Sequence, residues 1–116
     1  MRKIIFYQLE NEKSPITDFL DSLTKKQVEK VFFVLDLIEI IDIVPRKFFK
    51  KLDSTDDIWG VRVRHANNIF RLLGFFDDDE LIVLNHAFTK KTQKVPKKEI
   101  EIAEQRKKDY LLRRLS

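Results

Sequence analysis

The apolar residues of this chain change their spacing partway along it, and that change limits the fold more than any single motif. Val28, Val31, Phe32, Leu35, Ile38 and Ile41 recur at the helical period. From Ile58 the period becomes two. Ile58-Trp59-Gly60-Val61-Arg62-Val63-Arg64 puts Trp59, Val61 and Val63 on one face of a strand and Arg62 and Arg64 on the other. Helices that precede a run of strands place the chain in the α+β class.

The flanking residues agree. Lys3 to Leu9 reads as a first strand, rich in β-branched and aromatic residues. Ser14-Pro15 offers a capping hydroxyl followed by a first-turn proline, and predicts a short helix to about Leu23 with Ile16, Phe19, Leu20 and Leu23 on one face. Thr24-Lys25-Lys26-Gln27 is a capping-box pattern that starts a longer helix, ended by Pro45. Phe33 and Ile40 fall on its polar side, where they pack on the first helix or form a docking patch. His65-Ala66-Asn67-Asn68 is a turn, and Ile69 to Phe76 a nearly all-apolar central strand. Asp77-Asp78-Asp79 turns into a strand from Glu80 to Phe88, and Pro96 opens a last helix carrying Ile100, Ala103, Tyr110 and Leu111. The expected assembly is one domain over residues 1–116. It is a mainly antiparallel four-stranded sheet in the order β-α-α-β-β-β-α, with the two N-terminal helices on one face.

A chain of 116 residues is long enough to bury a core without staples. It has no Cys, which removes disulfides and thiolate metal sites and suits a reducing compartment. The N-terminal apolar run is too short for a signal peptide, and Asp36, Glu39 and Asp42 interrupt the longest apolar region, so a soluble cytoplasmic protein with no membrane contact is expected. The net charge of +4 is modest but unevenly spread: from Lys90 to Ser116 ten Lys/Arg face four acids, and Arg46, Lys47, Lys50 and Lys51 form a second knot. That polarity suits either a polyanionic partner or an ordinary solvated surface.

Arg71 interrupts an apolar strand, and arginine is almost never buried without a partner; it needs a solvent-filled concavity or a buried acid. His86 is the histidine on a predicted strand. If neighbouring strands pair, Arg62, Arg64, Arg71, His86, Lys90, Lys91 and Lys94 converge on one face. Such cations hold phosphates and stabilise charge that builds on a scissile phosphate, and a histidine moves protons at neutral pH. Basic grooves bind nucleic acid more often than they cut it. With glycine only at 60 and 74 there is no phosphate loop, and no metal site or cofactor is expected.

Ile58-Trp59-Gly60-Val61-Arg62, then Ile69-Phe70-Arg71, then Leu84-Asn85-His86-Ala87-Phe88-Thr89-Lys90-Lys91-Thr92-Gln93-Lys94-Val95-Pro96 and Glu99-Ile100 resemble the phage-derived, HigB-like branch of the RelE/ParE toxin superfamily. The resemblance covers nearly the whole chain. It implies a RelE-like fold and a toxin that cleaves mRNA on translating ribosomes without a metal. It also implies a cognate HigA-like antitoxin with a helix-turn-helix domain, so that operator DNA is met only through the antitoxin. Arg62, Arg71, Lys90 and Lys91 match the family's active-site cations, and His86 a position commonly His; these are the candidate catalytic residues. Arg64, Lys94, Lys97, Lys50 and Lys51 are candidates for RNA binding. Gly60 stands where many relatives carry a larger residue, and Val95 where the helix cap is often Thr. Two other activities fit the same fold: a ParE-like gyrase poison, and a non-catalytic RNA-binding or antitoxin-docking relic.

Overall fold

The computed structural model of the chain describes residues 1–91 and 94–115; Thr92 and Gln93 of the family-like run lie outside the described residues, as does Ser116. Strand β1 (Lys3–Phe6) leads into helices α1 (Pro15–Asp21) and α2 (Lys25–Ile40). Strands β2 (Phe49–Lys51), β3 (Trp59–His65), β4 (Asn68–Phe76) and β5 (Leu81–Lys90) follow, then helix α3 (Lys97–Arg114). The sheet has five strands in the order β1-β5-β4-β3-β2. β1 runs parallel to β5, and the remaining pairs are antiparallel.

The α+β class holds, but the four-stranded sheet is corrected to a mixed one of five. β2 is three residues long and two of them are lysines, so no alternation announces it. Its partner makes it a strand: Phe49 pairs with Val61, is buried, and stacks on Trp59 with ring centroids 4.8 Å apart.

Both N-terminal helices begin as their caps dictate. The Ser14 hydroxyl accepts from the Thr17 N–H at 3.1 Å, and Thr24 and Gln27 complete a reciprocal capping box. The end of α2 does not depend on Pro45. The helix stops at Ile40, and the Arg2 guanidinium donates to the carbonyls of Ile38 (3.0 Å), Ile41 (2.7 Å) and Asp42 (2.7 Å). The last carbonyls of a helix lack partners within it, and here a cation from the start of the chain supplies them. Glu39 returns the contact by accepting from the Ile4 N–H at 2.7 Å.

α1 packs chiefly over β5 and α2 over β3. Val31, Val34, Leu35 and Ile38 form the buried stripe of α2 against Ile16, Leu20, Val61, Val63, Phe70, Leu72 and Leu84. Phe33 and Ile40 do not pack on α1: they are 59% and 65% exposed, because each helix turns one stripe to the sheet and these two positions lie opposite it. Phe32, counted in the stripe by spacing, is also exposed.

The other face of the sheet is shared unequally. α3 covers one half, where Tyr110 packs edge-on against Phe75 and Ala103 is fully buried with Leu73, Ile58 and Leu52. A bulge sets the boundary. The register steps from Leu73↔His86 to Gly74↔Leu84, which leaves Asn85 as the extra residue of β5. Gly74 is required there, since a Cβ would lie 2.2 Å from the Val83 carbonyl oxygen. Fully buried Asn85 then donates to the Ala103 carbonyl at 2.9 Å, and Arg106 donates to the Asn85 carbonyl at 2.9 Å. Among the described residues no helix is long and apolar enough to cross a membrane.

Arg2 joins β1 to the end of α2, so Arg2→Ala is expected to lower the free energy of unfolding by about 1–3 kcal/mol. Urea denaturation measures it. Unchanged stability would show that the helix end does not rely on this residue.

Candidate active site and nucleic-acid interface

On the face that carries α3, strands β3, β4 and β5 bear three cross-strand rows, the last of them covered in part by α3. Arg64 on β3, Ile69 on β4 and Lys90 on β5 are in register; next come Arg62, Arg71 and Phe88, then Gly60, Leu73 and His86. Lys50 of β2 extends the last row beside Gly60. Period-two alternation therefore points Arg62, Arg64, Arg71, His86, Phe88 and Lys90 to the same side. A cleft of 430 Å³ opens here, with Lys50, Arg71, Lys90 and Lys94 as its cations. Leu52, Val95 and Ile100 form its apolar wall, and Asp53 stands at it as an acid.

Arg71 is the centre of this site. It is 4% exposed, its Nε has no hydrogen-bond partner, and no salt bridge among the described residues reaches it. Burial, and then the Arg62 charge facing it, hold its pKa below the usual guanidinium value. The same causes act on Lys90, where burial comes first, followed by repulsion from Arg71, Arg62 and Lys50. Gathering like charges under burial without a counter-ion costs stability locally. Gly60 belongs to the same geometry: a Cβ there would lie 3.2 Å from Arg71 Nη1 and 3.3 Å from its Cδ.

The other candidates separate by position. Lys91 follows the end of β5 and is exposed, and Arg64 is exposed one row beyond Arg62. Lys51 is turned away from the cleft by strand alternation and pairs with Asp57 at 2.8 Å. Lys97 opens α3 and lies 3.9 Å from Glu101. Neither is gathered with Arg71. The cap of α3 is Pro96, which offers no side-chain acceptor; Val95 precedes it and lines the cleft.

His86 is not among the cleft-lining residues. Its Nε2 lies 2.7 Å from Glu99 Oε1, its Nδ1 lies 3.3 Å from Arg106 Nη1, and its ring stacks on Phe88. Arg106 has only protons to offer, so Nδ1 is an acceptor and the ring is the neutral tautomer donating from Nε2 to Glu99. Burial pushes its pKa down, Glu99 opposes this, and Arg106 reinforces it. Both nitrogens are thus occupied in tying β5 to α3. Glu99 belongs to the family-like run and Arg106 is one of many basic residues, but the sequence does not point to their contacts with His86, which are made across the fold.

A larger cavity of 630 Å³ lies beside α3, lined by Tyr7, Glu10, Arg106 and Asp109 among others. Two of its charges are already engaged: Asp109 accepts from the Tyr7 hydroxyl at 2.5 Å and pairs with Arg113, and Arg106 is bonded to Asn85. Tyr110 donates to Asp77 at 3.0 Å and serves the packing of α3. In the Asp77–Glu80 turn, Asp78 accepts from the Glu80 and Leu81 N–H groups, as a turn residue does. Among the described residues no group of three or more His, Asp or Glu is placed to hold a metal ion.

The family model described as phage-derived protein Gp49-like (DUF891) matches residues 18–108. No curated protein matches the chain.

Replacing the buried cation by an apolar side chain of similar length removes the repulsion and keeps the packing. Arg71→Met is expected to raise stability by about 1 kcal/mol. It is also expected to lose the stabilisation that millimolar phosphate or sulfate gives the unaltered protein in a thermal-shift assay. His86 gives a separate test. Its lowered folded-state pKa contributes stability that is complete above the ordinary imidazole value of 6.5 and is lost as pH falls through the folded value. Denaturation midpoints measured against pH should fall on the acid side, and more shallowly in His86→Gln.

Proposed function

Because the chain belongs to the phage-derived Gp49-like family, we propose that it is the toxin of a two-gene toxin–antitoxin module and acts as a ribosome-dependent, metal-independent mRNA endonuclease that inhibits translation. The family is of toxin type and stands in the RelE/HigB-like group. The observation that carries the nuclease reading is Arg71, buried without a counter-ion among Arg62, Lys50 and Lys90.

In this reading the ribose 2′-hydroxyl gives its proton to solvent water as its oxygen attacks the adjacent phosphorus. The O2′–P bond forms and the P–O5′ bond breaks, leaving a 2′,3′-cyclic phosphate and a 5′-hydroxyl. Arg71 and Arg62, paired across β3 and β4, grip the non-bridging oxygens and stabilise the added charge of the transition state. Lys90 donates a proton to the departing 5′-oxygen, a task that its lowered pKa favours. Lys50, Lys91, Lys94 and Arg64 extend the basic surface along the flanking RNA. His86, with both nitrogens engaged, keeps α3 and β5 in place behind the cleft. The ribosome presents the mRNA. A helix-turn-helix antitoxin restrains the toxin and is the partner that meets operator DNA, and the whole cycle belongs to the cytoplasm.

Inducing the chain alone is expected to arrest growth and to produce new mRNA 5′ ends inside translated codons, seen by primer extension. Arg71→Ala and Lys90→Ala should each lower cleavage by about 100-fold or more while the fold persists. Intact transcripts during arrest would refute the nuclease reading, and DNA breaks with a damage response would favour a gyrase target.

A further inference from the structure

Gly60 is the second residue of β3 and pairs with strands on both sides, where a glycine weakens a sheet and has to be explained. Its backbone does not explain it: the positive-φ residues are Glu12, Ser54, Asp57 and Ala66. Backbone crowding does not either. At Gly74 the atoms that a Cβ would meet belong to the main chain of β5, whereas at Gly60 they belong to side chains: Arg71 Nη1 at 3.2 Å, Arg71 Cδ at 3.3 Å and Leu52 Cδ2 at 3.4 Å.

Arg71 faces Arg62 directly across the strand pair, and Gly60 lies on the diagonal. The long side chain leaves its like-charged neighbour and lies over the one position of β3 that has no side chain. The guanidinium thereby reaches the level of Lys50, which pairs with Gly60 from β2. We infer that Gly60 is a positioning residue: its missing side chain is a notch that seats the Arg71 guanidinium in the cleft, between Lys50 and Lys90, in the pose that receives an anion. A methyl group there needs Arg71 to move. Buried Leu52 stands on one side of the same position, with its Cδ2 3.4 Å from the Cβ that Gly60 lacks. The inference rests on the anion-binding reading of the cleft and adds a residue that makes no contact with the ligand itself.

The seat is read directly by the Arg71 Nε–H signal in a ¹⁵N-resolved NMR spectrum. In the unaltered protein the buried Nε–H should exchange slowly; in Gly60→Ala it should shift and exchange faster, with no loss of thermal stability. An unmoved signal would overturn the seat. Coupling to binding is read by a four-variant cycle of Gly60→Ala and Arg71→Ala, titrated with a non-cleavable 2′-O-methyl RNA oligonucleotide and with inorganic phosphate. Gly60→Ala is expected to weaken RNA binding about tenfold when Arg71 is present and to have almost no effect when it is absent. Equal losses in both backgrounds would overturn the positioning role. Absence of RNA binding by the unaltered protein, with phosphate still detected by the cycle, would refute the RNA reading of the site and leave the notch standing.

Discussion

Asn85 has no exposed surface, and its amide reaches out of β5 to the backbone of α3 at Ala103. It can do so because β5 carries one residue more than β4 at this point, and β4 answers with Gly74, the residue that tolerates the approach of the Val83 carbonyl. The bulge decides where α3 lies. Beyond it, Phe75 and Val83 are covered by Tyr110 and Leu111; beside it, Leu73 is covered by Ala103 and Ile100, and the open cleft begins at Lys50, Arg71 and Lys90.

Around Arg71 the fold does something that cores ordinarily avoid. Burial removes water from the guanidinium, Arg62 repels it, and no acid among the described residues compensates. Cations that do have acids, Lys51 with Asp57 and Arg113 with Asp109, sit on ordinary surface and add little. The contrast separates surface charges that have their counter-ions from buried ones that lack them.

The sequence carries some of this plainly. Ser14 and Thr24 fix the helix starts because a cap is a local interaction among neighbouring residues. The alternation of β3 and the lone charge in β4 put Arg62 and Arg71 on one face before any pairing is known. Long-range contacts are hidden. β2 exists because Phe49 finds Val61 and Trp59, the end of α2 depends on a residue 36 positions before its first acceptor, and His86 is occupied by Glu99 and Arg106 from another element. Lys50 and Lys51 are adjacent and equal in the sequence, yet strand alternation sends one to the cleft and the other to Asp57.

The parallel pairing of β1 with β5 bears on the order of events during synthesis. Lys3 lies beside Leu81 and Phe6 beside Leu84, so the first strand has no strand partner until β5 has been made. The cleft is late for the same reason, since Lys90, Lys94 and Ile100 come from residues translated after β4. The parts of both N-terminal helices and of the β3–β4 hairpin thus all precede in sequence the residues that complete the cleft.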